Sequence, residues 1–318
     1  MKRRDFLRNT LLAGAALQFP HIWIKNARAN SGPFKITILQ TNDTHSRIDP
    51  FPMDGGRYQG LGGAGRRATL VKQVRRRNPN TLLLDAGDVF QGTPYFNIYK
   101  GKLNYEVMTR CGYDVGTIGN HEFDNGVEAL ADAMNEAHYE MVNCNYDFGD
   151  TPLKNHIKTL VIRELGPVKV GITGVGIHFV DLVTPPNHEG VTYNDPVKPL
   201  KSVVKYLRKD LGCNLVIVLS HLGLTASGGF PADPDIAYQV NGIDWIVGGH
   251  THTFMKEPEV VKSKGGHTTR ILQVGWAGVE VGKSDLYFED GKLIAAETGI
   301  ISVDSEIAEI PLAVENLG

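Results

Sequence analysis

Cysteine is scarce: the 318-residue chain has three, Cys111, Cys144 and Cys213. Three thiols with no C-x-x-C spacing do not make a disulfide framework, even in an oxidising compartment. Cys144 follows a strand-like pair and Cys213 precedes the apolar run 215–219, so buried thiols are expected; one bridged pair stays open. Runs of basic residues are also missing. Arg75-Arg76-Arg77 is the one such run after the leader, and it closes a predicted helix, where cations suit the dipole. Without clustered Lys and Arg, nucleic-acid binding is not expected. No apolar run reaches the roughly 20 residues that a membrane-spanning helix needs. Internal repeats, low-complexity tracts and linkers are absent as well, and no activated Ser or Cys pair stands out.

The first 29 residues read as a leader. Lys2, Arg3 and Arg4 form a basic start, 11–17 is a short apolar stretch, and Ala27-Arg28-Ala29 is an A-x-A cleavage site before Asn30. Arg3-Arg4-Asp5-Phe6-Leu7-Arg8 matches the twin-arginine export pattern, which predicts a folded passenger delivered to the periplasm or outside by the twin-arginine machinery. Six of the 33 Lys and Arg and one of the 35 Asp and Glu lie in that leader, which leaves the mature part, 30–318, at −7 with His neutral. That mature part is expected to be a single domain with no membrane span.

Hydrophobic periodicity alternates between strands and helices over most of the chain. Strands are predicted at 35–41, 81–84, 113–118, 140–143, 215–219 and 243–247, with a hairpin over 160–173 around Gly166-Pro167. Helices are predicted at about 64–77, 103–109, 126–137, 196–211 and 233–240. The last stretch, 257–302, reads as four strands. Alternation followed by a run of strands predicts an α/β fold of two packed sheets with helices outside.

The strand ends carry the chemistry. Gly119-Asn120-His121-Glu122-Phe123-Asp124 places an amide, an imidazole and two carboxylates directly after a predicted strand. Taken alone it reads equally well as a polar turn with Asp124 or Asn125 capping the next helix. Similar ends recur, however: Asp43 and His45, Asp88, His221, then His250 and His252. In extended chain, side chains two apart lie on one side, so D-x-H and H-x-H are each expected to aim both members at one small volume. Each signal alone has a duller reading as a turn residue or a structural histidine; five at successive strand ends point to a metal centre. Mixed carboxylate and imidazole donors suit Zn, Mn, Fe or Co better than Mg or Ca.

With TNDTH (41–45), DAGDVFQGT (85–93), GNHEFD (119–124), SHLG (220–223) and GGHTH (248–252) in this order, the chain resembles the calcineurin-like metallophosphoesterases, specifically the catalytic domain of the bacterial 5′-nucleotidase family. The resemblance implies a four-layer α/β/β/α sandwich of the metallo-dependent phosphatase type, holding two divalent metal ions. It implies that Asp43, His45 and His252 hold one ion, and that Asn120, His221 and His250 hold the other with Asp88 bridging. His121 is then a catalytic group beside the substrate phosphate, shared with Asn120 and oriented by Asp124, and Glu122 points away as a structural residue. The family's nucleotidases often have glutamine where this chain has His252, which leaves the metal preference open.

The implied activity is hydrolysis of a nucleotide or other small phosphoester by metal-activated hydroxide, most directly of the 5′-nucleotidase type. A 2′,3′-cyclic phosphodiesterase, a nucleotide-sugar hydrolase and a thiosulfohydrolase are the alternatives from the same superfamily, and a metal-binding partner module is the non-enzymatic one. The family's C-terminal domain, which stacks the base and supplies arginines, has no counterpart before Gly318. A catalytic subunit completed by a separately encoded C-terminal domain is expected, with a stand-alone phosphoesterase of broader specificity as the alternative.

Overall fold

Strand β1 (Phe34–Thr41) and helix α1 (Ala64–Arg77) open a computed structural model that describes residues 32–226 and 228–312. The leader and its cleavage site lie outside the described residues. Next come β2 (Thr81–Asp85), α2 (Pro94–Tyr99), α3 (Lys102–Cys111), β3 (Val115–Gly116), α4 (Gly126–Ala133) and β4 (Glu140–Val142). Three short strands and a long hairpin follow: β5 (Tyr146–Asp147), β6 (Ile157–Lys158), β7 (Leu160–Leu165), β8 (Val168–Gly176) and β9 (Thr192–Tyr193). The chain then runs through α5 (Val197–Lys209), β10 (Leu215–His221), α6 (Asp233–Gln239) and β11 (Trp245–Gly248). It closes on β12 (Glu259–Lys262), β13 (Thr268–Leu272), β14 (Glu280–Glu289) and β15 (Lys292–Ser302).

Two large mixed sheets form, ordered β15-β14-β1-β2-β3-β4-β6 and β12-β13-β11-β10-β8-β7, and β5 pairs with β9 in a two-stranded ribbon. Each has parallel strands at its centre and antiparallel strands at one or both edges. The central strands are apolar without alternation, as parallel strands covered on both faces must be. Successive side chains then feed two different cores. Leu215, Ile217 and Leu219 of β10 point between the sheets with Ile36, Ile38, Leu82 and Leu84, whereas Val216 and Val218 point outward to α5 and α6. Leu83 and Leu39 likewise face α1, α3 and α4. Helix α5 shows the matching stripe, burying Leu200, Val203, Val204 and Leu207 at helical spacing. The layers are thus helix, sheet, sheet, helix. Each fully buried Leu or Ile of the inter-sheet core contributes about 1.5–3 kcal/mol.

Several sequence expectations change in detail. The 113–118 strand shrinks to Val115–Gly116, because the chain beyond it turns into a single 3-10 turn, His121–Phe123. Helix 126–137 is α4 followed by a second 3-10 turn, Met134–Glu136. Asp124 and Asn125 make no side-chain cap on α4; the Asp124 carboxylate is committed elsewhere, to His121. All three cysteines are free thiols, and burial pushes Cys111 up to about 11 and Cys144 up to about 12. Among the described residues no helix is long and apolar enough to cross a membrane.

Candidate metal centre

The carboxyl ends of β1, β2, β3, β10 and β11 supply all the residues singled out above, where parallel α/β sheets gather their sites. The loops after β1 and β2 are laced together by backbone hydrogen bonds: Asp43 N–H to Gly87 O at 2.9 Å, His45 N–H to Asp88 O at 3.1 Å, and Ser46 N–H to Val89 O at 2.8 Å. Glu122 locks the third loop to the second. Its buried carboxylate accepts the N–H groups of Gly119 at 2.5 Å, Val89 at 2.7 Å and Asp88 at 3.0 Å. Burial and the neighbouring Asp88 push that carboxyl up to about 7. Glu122 faces away from the metal groups because a 3-10 turn carries it. Gly119 is required where it stands, since a Cβ there would overlap the Asp88 carboxylate and the His221 ring.

The backbone also corrects the reasoning from i, i+2 spacing. Asp43, His45, Asp88, His250 and His252 all have positive φ, between 46° and 72°, so none lies in extended chain. Such left-handed non-glycine residues are costly and gather at sites that the surrounding structure over-determines. Asp43 and His45 do converge, but His250 and His252 diverge into different clusters.

Two groups of ligand atoms result. Asp43, His45 and His252 form one, and Asp88, His221 and His250 the other, with the ligand atoms within 4.8 Å of one another in each. In the first, His252 Nε2 is 3.3 Å from Asp43 Oδ1 and 3.0 Å from His45 Nε2. In the second, His221 Nε2 is 3.0 Å from Asp88 Oδ2, and Asn120 Oδ1 is 3.1 Å from His250 Nδ1. Asp43 Oδ1 also lies 4.0 Å from His221 Nε2, so the groups adjoin. Asp88 sits with the second group, where its Oδ1 also accepts the His121 N–H at 2.9 Å.

Whether these residues fit metal ions is answered by their outer hydrogen bonds. His45 Nδ1 bonds Phe90 O at 3.0 Å and His221 Nδ1 bonds Ala86 O at 2.7 Å, which puts the Nδ1 proton on each carbonyl and aims Nε2 inward. His221 Nε2 is buried and makes no hydrogen bond of acceptable geometry, although Asp88 is near. A buried, unsatisfied imidazole nitrogen facing a carboxylate is what a cation satisfies. Burial holds His45 below the usual range, and burial with His221 holds His250 down at about 4, so both stay neutral and able to ligate. Burial opposes charge on His221 and on Asp88, yet their mutual attraction outweighs it: His221 rises to about 10 and the Asp88 carboxyl falls below the carboxylate range.

His121 stands at the edge of the second group. Its Nδ1 bonds Asp124 Oδ2 at 2.9 Å, and burial, which lowers its pKa, is outweighed by Asp124 and Asp88. An aromatic wall flanks the first group. Trp276 lies nearly parallel to the His252 ring, 8° and 5.8 Å between centroids, and meets His45, Phe51 and Tyr58 edge-on.

A family model described as calcineurin-like phosphoesterase matches residues 36–254, a span that carries every one of these residues except the aromatic Trp276. The chain belongs to the calcineurin-like phosphoesterase family. That family uses two divalent metal ions, and two ligand groups are present here. The chain is 34% identical over 304 residues to a human 5′-nucleotidase, covering 88% of this chain and 51% of that protein. It is 33% identical over 300 residues to a snake venom 5′-nucleotidase of Crotalus adamanteus, with 88% and 50% covered. The solved structure of a 5′-nucleotidase precursor from Thermus thermophilus superposes with a TM-score of 0.77 at 33% identity, over 87% of this chain and 56% of that one. The chain therefore spans about half the length of the curated relatives it matches.

Sequence reasoning missed the aromatic wall. Phe51, Tyr58 and Trp276 are more than two hundred positions apart at the extremes, and no spacing rule links them.

Proposed function

We propose that this phosphoesterase is a metal-dependent phosphomonoesterase of nucleotides, of the 5′-nucleotidase type. The observation that carries the reading is the pair of adjoining ligand groups with a carboxylate-backed histidine at their edge. Asp43, His45 and His252 hold one divalent ion, and Asp88, Asn120, His221 and His250 the other. When bound, the two ions supply Lewis acidity toward phosphoryl oxygens and lower the pKa of water. The donor set favours Zn, Mn, Fe or Co.

The chain's own residues do the rest. Asp124 holds the proton on His121 Nδ1, so Nε2 is the atom that exchanges with substrate. In the protonated form, His121 Nε2–H donates to a phosphoryl oxygen and passes its proton to the leaving alcohol as the P–O bond breaks. Asn120, one residue before, fixes where that phosphate sits. Trp276, parallel to the His252 ring, covers one face of that ligand and holds it in place.

Relatives named 5′-nucleotidase support the nucleotide substrate. The leader at 1–29 supports twin-arginine export of the 30–318 domain to the periplasm or beyond. A purely metal-binding partner module needs no His121–Asp124 pair, which argues for catalysis. The test is to quantify bound metals in the mature chain and assay AMP, UDP-glucose, cyclic nucleotides and p-nitrophenyl phosphate with Mn or Zn. AMP is expected to turn over fastest; metal without turnover on any substrate, with or without a C-terminal partner, contradicts the reading.

A further inference from the structure

Gln273 follows β13, the strand beside β11, and its side chain is fully buried. From there it reaches the segment that carries His250 and His252. Its Nε2 donates to Gly249 O at 2.7 Å. Its Oε1 accepts the Thr251 hydroxyl at 3.1 Å and the Thr253 N–H at 3.2 Å. One carboxamide therefore grips residues 249, 251 and 253, the three that flank and separate the two histidines. A carboxamide suits this task because it donates at one end and accepts twice at the other. A carboxylate would set a lone pair against Gly249 O, and an apolar side chain would leave buried polar groups unpaired.

The grip falls where the backbone needs it. His250 and His252 have φ of 72° and 50°, a region that non-glycine residues hold only where their surroundings over-determine them. That conformation is also what sends the His250 ring to the second ligand group and the His252 ring to the first. The chain around Gln273 is anchored in turn. Asn42 Oδ1 accepts the Val274 N–H at 2.9 Å, and Asn42 Nδ2 donates to Gly275 O at 2.7 Å and to the Asp43 carboxylate at 2.5 Å. Asp43 closes the circuit by accepting the His250 N–H at 3.0 Å.

We propose that Gln273 is a positioning residue for both ligand groups, setting His250 toward one ion and His252 toward the other. The proposal rests on the ligand assignment above and deepens it. Loss of the Gln273 amide then loosens the two ions together, although it touches neither.

The test releases both ions into a chelator from loaded wild type, Gln273→Met, Thr251→Val and Leu207→Ala. Gln273→Met keeps most of the volume and loses all three bonds. The near-isosteric Thr251→Val loses one of them and guards against a Gln273 variant that fails to fold. Leu207→Ala is the control for lost stability, since Leu207 packs over Gly171, near the start of β8 and away from its carboxyl end. Gln273→Met is expected to speed release of each ion about tenfold and Thr251→Val roughly threefold, with Leu207→Ala unchanged. In metal-free protein, the ring nitrogen resonances of His250 and His252 should both move in Gln273→Met and stay in place in Leu207→Ala. Faster release of one ion only, equal acceleration in Leu207→Ala, or ring resonances unmoved by Gln273→Met overturns the proposal. A wild type that binds fewer than two ions, while both rings still move in Gln273→Met, contradicts the ligand assignment and leaves the positioning of the histidines standing.

Discussion

The two halves of the metal centre are built differently. The second group is held by buried carboxylates: His221 is fully buried, Asp88 is 2% exposed, and Glu122 ties the backbone of two loops around them. The first group also has two buried members, Asp43 and His45, but 40% of its His252 side chain is exposed, and there the Trp276 ring covers it. Burial makes the second group rigid, and makes each of its charges depend on the others. The first group depends on side-chain cover, which is softer and easier to remove. Damage to the second group is therefore expected to be global, and damage to the first local.

The largest effect is expected from Asp88→Ala. It removes a ligand, the counter-charge to His221 and the acceptor of the His121 N–H together. Bound metal at the second group and turnover should both be lost, the latter by more than about 10³-fold, as read by metal analysis and AMP hydrolysis. His121→Ala comes next. It leaves both ligand groups intact and should lower kcat by about 10²–10⁴-fold with metal content unchanged.

A smaller and more selective effect is expected from Trp276→Ala. Losing the ring parallel to His252 should speed chelator-driven metal release from the first group by about 10-fold and leave the second unchanged, while Trp276→Phe retains most of the brace. Equal release from both groups would show that the halves are not independent.

The smallest effect concerns Asp233, a buried carboxyl that bonds Ser220 next to His221. Burial pushes it up to about 8, against the pull of its hydrogen bonds with Ser220 and Gln273. The folded state thus keeps a proton that the unfolded state releases near pH 4, so its contribution favours folding at low pH and is lost as pH rises toward 8. Asp233→Asn should flatten the fall in urea stability between pH 5 and pH 8 by removing this component. An unchanged slope would place the pH dependence elsewhere.

Much of this was legible from residues. Central strands such as 215–219 announce two-sided burial by their unbroken apolar run, and α1 and α5 announce themselves by stripe and basic last turn. The ligand residues were legible as types at strand ends. Their sorting into two groups was not legible from spacing, because left-handed backbone at His250 and His252 sends neighbours two apart in different directions. The GNHEFD turn gave Glu122 as structural but hid which backbone it holds, since Asp88 and Val89 lie more than thirty positions upstream. Helix α2 and the β5–β9 ribbon are too short to carry a period.

The most direct test of a two-ion centre served by His121 is to count divalent ions per chain in wild type and His121→Ala while measuring AMP turnover on the same samples. Two ions are expected in both proteins, with turnover collapsing in the variant alone. Wild-type turnover in His121→Ala, or a single ion in the wild type at saturating metal, would contradict it.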